Sequence, residues 1–256
     1  MNIRRLFILC VVCALLFTQM GISFATENES SVNYDIQSLD ELKESLSEVY
    51  ELNPTAGPET PEVKQVVENT SPNVVNEFLE EKMDLIGVAM SDVRESTEEH
   101  TVDLGDGCYL VMGSSVPFVE SDIAMRSTPG AQTLWKDYGN RKYTSTFEGY
   151  LLIASFNLNI CNHYTLGKNG ISPRYVEAWG EGGGVLSVST GNVNEPKRSA
   201  KVGETVSSNC IFSIRVNGSN SGADKTFKMY NYIKCSEIDT VEKQVKVVQS
   251  WKGDYL

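Results

Sequence analysis

The sequence predicts a mainly β fold: a C-terminal antiparallel β-sandwich preceded by a small helical region. Three observations predict it. Apolar residues recur at helical spacing only before about residue 100. Beyond that point the period is two, apolar against polar. The β-like runs are short and are separated by glycine- and asparagine-rich turn signals. An immunoglobulin-like arrangement of the sandwich is one option at this spacing.

The chain opens "MNIRRLFILCVVCALLFTQMGISFA". Two arginines precede an apolar run too short to span a bilayer, and a small-x-small site, Ser23-Phe24-Ala25, follows. Residues 1–25 therefore read as a secretory signal peptide, with cleavage expected after Ala25. No second long apolar segment follows, so no membrane insertion is expected once the signal is removed. Residues 26–37 are polar and read as disordered. Ser38-Leu-Asp-Glu41 is a capping box, and Leu39, Leu42, Leu46, Val49 and Leu52 follow on one helical stripe. "NPTAGPETP" breaks that helix. Thr60-Pro61 and Ser71-Pro72 each place proline at a first helical position. Val74, Val75, Phe78, Leu79, Met83 and Ile86 form the next apolar stripe, so residues 38–99 are expected to be helical and to pack on the core. Residues 100–130 hold a hairpin, "HTVDL-GDG-CYLVM", and a polar connection ending at Thr128-Pro129-Gly130. The sandwich is expected over 131–256, with strands at 142–148, 151–166, 173–179, 184–190, 199–206, 209–217, 225–236 and 240–251.

Charge narrows the partners. Without residues 1–25 the chain carries 20 basic and 34 acidic residues, a formal charge of −14. Nucleic-acid binding runs on phosphate neutralisation, so no nucleic acid is expected. The remaining cysteines are Cys108, Cys161, Cys210 and Cys235. An even number in an exported chain reads as disulfides. A hairpin around "NGSNSG" brings Cys210 near Cys235, which leaves Cys108 with Cys161.

Little of the rest looks like chemistry. Cys161 and His163 in "NICNHYTL" share one face of a strand, about 6.6 Å apart. A cysteine nucleophile also needs an orienting group and an oxyanion hole, and two ligands do not hold a zinc ion. No catalytic residue, metal site or cofactor is expected. "WGEGGGVLS" lacks the helix and GK[ST] of a phosphate loop and reads as a turn or bulge. "NGSNSG" carries Asn220 where a nucleophile elbow needs serine. "LGDGCY" lacks the spacing of a calcium loop. The 34 acids leave a carboxylate pair for hydrolysis open without singling one out.

The most informative pattern is "TFKMYNYIKC". Alternation puts Phe227, Met229, Ile233 and Cys235 on one side, interrupted by Asn231, and Lys228, Tyr230, Tyr232 and Lys234 on the other. Two tyrosines flanked by lysines in an acidic chain suit a recognition surface. Lys246 and Gln244 would extend it across the next strand.

The run "STPGAQTLWKDYGNRKYT", the "NHYTL" segment and "VKVVQSWKG" together resemble a group of uncharacterised secreted proteins of Gram-positive gut bacteria, over residues 126–253. The resemblance implies an extracellular bacterial setting and a β-rich domain, and some gut-bacterial secreted proteins of this general kind bind host immunoglobulins. It brings no catalytic motif. The expectation is a secreted, non-enzymatic protein that binds an extracellular protein or glycan. The alternatives are a secreted carboxylate-dependent hydrolase and a structural or inhibitory module of the cell envelope.

Overall fold

The computed structural model describes residues 35–115, 133–196, 198–217 and 225–256. The expected signal peptide, residues 26–34, the Thr128-Pro129-Gly130 turn and most of "NGSNSG" lie outside the described residues. Among the described residues, three helices, α1 (Leu39–Leu52), α2 (Pro61–Glu68) and α3 (Pro72–Asp92), precede ten strands. These are β1 (His100–Gly105), β2 (Cys108–Ser115), β3 (Thr133–Asp137), β4 (Gly139–Tyr150), β5 (Ala154–Gly167), β6 (Gly170–Gly184), β7 (Leu186–Asn194), β8 (Thr205–Val216), β9 (Lys225–Asp239) and β10 (Gln244–Tyr255).

The strands form two five-stranded sheets, β1-β2-β4-β5-β6 and β3-β10-β9-β8-β7. Every pairing is antiparallel. Successive hairpins make up most of each sheet, in place of the crossing connections of the immunoglobulin-like order. The β1–β2 hairpin expected ahead of the sandwich is instead the edge of its first sheet. Strand β3 carries no clear alternation and was not among the expected strands. Expected strand 199–206 is mostly loop. Gly203 at φ 88° turns the chain there, and only Ala200 bridges, to Ile171. "GEGGG" is not a turn but the end of β6. A Cβ on Gly182 would lie 2.4 Å from the Leu186 carbonyl oxygen, so glycine lets β6 and β7 pass closely as the chain changes sheet.

The helices close one end of the sandwich. Ser38 and Glu41 form the expected capping box, and prolines begin α2 and α3. Ile36, within the stretch expected to be disordered, bridges Thr70. Helix α3 buries Lys82 amid its apolar stripe. The ammonium donates to the Leu104 carbonyl at 2.8 Å and to Asp106 at 2.7 Å, tying α3 to the β1–β2 turn.

The interior is two cores with a polar belt between them. The larger core joins the helices to Phe147, Phe156, Leu158, Ile160, Phe212, Phe227, Met229 and Trp251. The smaller holds Tyr143, Tyr164, Leu166, Val206, Ile233, Cys235, Val245 and Val247. Where the two meet, five strands each turn one polar side chain inward: Ser145 on β4, Asn162 on β5, Ser208 on β8, Asn231 on β9 and Gln249 on β10. All five are buried. The hydrogen bonds of Asn162, Ser208, Asn231 and Gln249 run from sheet to sheet. Asn231 Nδ2 donates to the carbonyls of Tyr143 and Ile160, each at 3.1 Å. Ser208 Oγ donates to Asn162 Oδ1 at 2.6 Å, and Gln249 Nε2 to the Tyr164 hydroxyl at 2.8 Å.

Asn231 thus belongs to the inward face that its polarity seemed to interrupt. Replacing Asn231 with alanine removes two donors and leaves a void, at a cost of roughly 2–3 kcal/mol. Urea unfolding of Asn231→Ala should show that loss. Ser207→Ala, one residue from the belt but exposed, should stay within about 0.5 kcal/mol of the parent protein.

Candidate functional site

Belt and cores fix which side chains face outward, and the outer face of each sheet carries a candidate site. On the second sheet, β9 presents Lys228, Tyr230, Tyr232 and Lys234 outward, between buried Phe227, Met229, Asn231, Ile233 and Cys235. The two tyrosine rings are parallel within 2°, with centroids 6.0 Å apart. The Lys228 ammonium lies 4.9 Å from the Tyr230 centroid. From β10, opposite Tyr230, Lys252 lies 5.6 Å from the same ring and pairs with Asp254 at 2.5 Å. Cations over a tyrosine face are attracted by the ring quadrupole, which holds these long side chains in place. Burial, with the Glu95 charge nearby, pushes the Tyr232 phenol up to about 12.

Lys234 does not join the cluster; it stands exposed opposite Val248. Lys246 extends the face but lies 3.9 Å from Glu237 and over Trp135 of β3. Trp135 and Lys252 were missed because their places on this face depend on cross-strand register.

The first sheet's outer face is more polar. Thr146 Oγ1 donates to Asn159 Oδ1 at 2.8 Å, Asn159 Nδ2 to Asn157 Oδ1 at 2.7 Å, and Asn157 Nδ2 to Glu148 Oε1 at 3.4 Å. The Tyr150 hydroxyl donates to Glu148 Oε2 at 3.2 Å. Tyr150 stacks on Tyr109 with centroids 4.6 Å apart. Glu148, Tyr150, Asn157, Glu181 and Gly182 line a groove of about 260 Å³. It abuts a second hollow of about 320 Å³ walled by Tyr50, Pro58, Tyr109 and Leu152. Tyr150 and Ser155 belong to both.

Further along that face lie Cys161 and His163. Sγ and Nε2 are 3.6 Å apart, and Glu177, paired with Cys161 across β6, brings Oε2 to 3.0 Å from the same nitrogen. A nucleophile and its base need the opposite arrangement: one ring nitrogen facing the thiol, the other held by the carboxylate. Burial also raises the Cys161 thiol above its usual range, which disfavours the thiolate.

The expected disulfides are not present. All four cysteines are free and buried. Cys210 faces Met229, not a position near 232, and Cys235 lies six residues further along β9, roughly 20 Å away. Cys161 points to the outer face while Cys108 packs in the larger core. Both pairings exceed disulfide reach.

No family model, curated protein or solved structure matches the chain.

Two measurements check this arrangement. Four thiols should react with an alkylating reagent without prior reduction once the chain from residue 26 onward is unfolded, and almost none while it is native. Stability should also be lost in alkali. Burial pushes Cys108 from 9.0 up to about 12 and Cys210 up to about 11. The folded state therefore holds these protons more tightly than the unfolded chain. The stabilisation is complete below about pH 9 and is lost as pH rises toward 12. Urea midpoints across that range should fall, less steeply in Cys108→Ser.

Proposed function

We propose that the chain is a secreted, non-enzymatic binding protein that recognises an extracellular protein, an immunoglobulin being the first candidate, through the outer face of its second sheet. The observation that carries this reading is the parallel Tyr230–Tyr232 pair, outward-facing and flanked by the Lys228 and Lys252 ammoniums. Tyrosine supplies large contact area at low entropic cost, and preordered rings lower that cost further. Ser207 and Asn209, opposite Tyr232 and Tyr230 on β8, flank the pair with small adaptable hydrogen-bonding groups. Lys228 matches an acidic group on a partner and acts mainly on association rate, while the Lys252 charge is met by Asp254.

A second reading has its own support. The fixed amide and carboxylate relay beside the Tyr109–Tyr150 stack suits a glycan, whose hydroxyls pair with planar polar groups and whose ring faces pack on aromatics. Glu148 and Glu181 in one groove also keep the carboxylate hydrolase in play.

Binding to immobilised immunoglobulins, other serum proteins and a glycan array separates these readings. Tyr230→Ala and Tyr232→Ala should each weaken protein binding by about 2 kcal/mol, or roughly 30-fold, with unfolding midpoints unchanged. Unchanged affinity in a folded double variant removes this face as the site. Glycan binding lost in Glu148→Gln supports the second reading, and glycan shortening supports the hydrolase.

A further inference from the structure

We propose that Cys161, His163 and Glu177 form a three-ligand site for a thiophilic divalent transition metal, of which zinc is the type. The site lies on the first sheet and is independent of the recognition face on the second.

Geometry carries the proposal. Cys161 and His163 sit two apart on the outward side of β5, and Glu177 is the direct cross-strand neighbour of Cys161. One donor atom from each falls within 4.8 Å of the other two. A tetrahedral zinc with bonds of about 2.0–2.3 Å separates its donors by roughly 3.2–3.6 Å. Sulfur and nitrogen stand 3.6 Å apart, and nitrogen and carboxylate oxygen 3.0 Å. The remaining edge closes by rotation of Glu177, the exposed member of the three. Sulfur and oxygen both lie at the Nε2 edge of the ring, so the three donors face one point, which a proton relay through both ring nitrogens would not allow.

The surroundings suit ligation. Tyr175 stacks on the His163 ring at 4.1 Å and 14°, which fixes its plane. Thr144, the cross-strand neighbour of Cys161 on β4, favours the thiolate. Thiolate and carboxylate together neutralise a dication. On binding, the Cys161 S–H bond breaks, its proton passes to water and the sulfur lone pair forms the metal bond. The neighbouring cations are Lys142, opposite His163 on β4, which favours the thiolate, and Arg174, 5.8 Å from the Tyr175 ring; both oppose the metal. Three protein ligands leave a fourth position open on the outward side, the composition of a catalytic or partner-bridging zinc rather than a closed structural one.

The test uses the chain from residue 26 onward, freed of metal. Zinc titration by calorimetry should give one ion per chain with proton release. Cobalt(II) should give a thiolate-to-metal charge-transfer band. Cys161→Ser should abolish the band. His163→Ala should weaken zinc binding more than about 100-fold, beyond the loss of a supporting outer group. Glu177→Gln, at an exposed edge position where folding is not at risk, should weaken it at least tenfold. Cys235→Ser should bind as the parent does. Absence of the cobalt band in the folded parent protein, or full-affinity zinc binding by folded Glu177→Gln and His163→Ala, overturns the proposal.

Discussion

The hydrogen bonds of the polar belt are the constraint on which the rest of this sandwich depends. Apolar contacts are non-directional and tolerate sliding of one sheet over another. The bonds from Asn231 to the Tyr143 and Ile160 carbonyls, from Ser208 to Asn162 and from Gln249 to Tyr164 do not. Each joins a strand of one sheet to a strand of the other. Slipping β9 by one residue would turn Asn231 outward and bury Tyr230 or Tyr232. An unpaired buried amide costs more than its bond contributes, so the belt acts by penalising every other alignment.

This explains why the outer faces, rather than the interior, carry the candidate sites. Both cores are filled, by the helices and Trp251 at one end and by Tyr143 and Tyr164 at the other. What remains variable is the outward residue of each alternating pair. The second sheet uses these positions for tyrosines and lysines, the first for an amide–carboxylate relay and for the Cys161–His163–Glu177 cluster. The same alternation that buries Ile160 and Asn162 aims Cys161 and His163 outward.

Much of this was legible from the chain. Period-two alternation separated the two sides of β9 and put Cys161 and His163 on one face of β5, and the capping box and two prolines marked the helix starts. Sequence reasoning failed where pairing decides. Glu177 is fourteen residues from His163 and meets it only through the β5–β6 register. Lys252 reaches Tyr230 through the β9–β10 register. The disulfide expectation failed for the same reason, since a three-residue shift in the β8–β9 pairing separates Cys210 from Cys235. Lys82 was invisible because its partners are carbonyls and an aspartate on a distant hairpin. Asn231 looked like a flaw in an apolar face because its acceptors lie on the opposite sheet.

The most direct test of the belt is which side of β9 meets water. Hydroxyl-radical footprinting read by mass spectrometry reports this residue by residue in the native protein. The account predicts oxidation at Tyr230 and Tyr232 with Met229 and Phe227 protected, although methionine is intrinsically the more reactive group. Oxidation of Met229 with protection of both tyrosines would show that β9 faces the other way, and that the belt does not set the alignment of the two sheets.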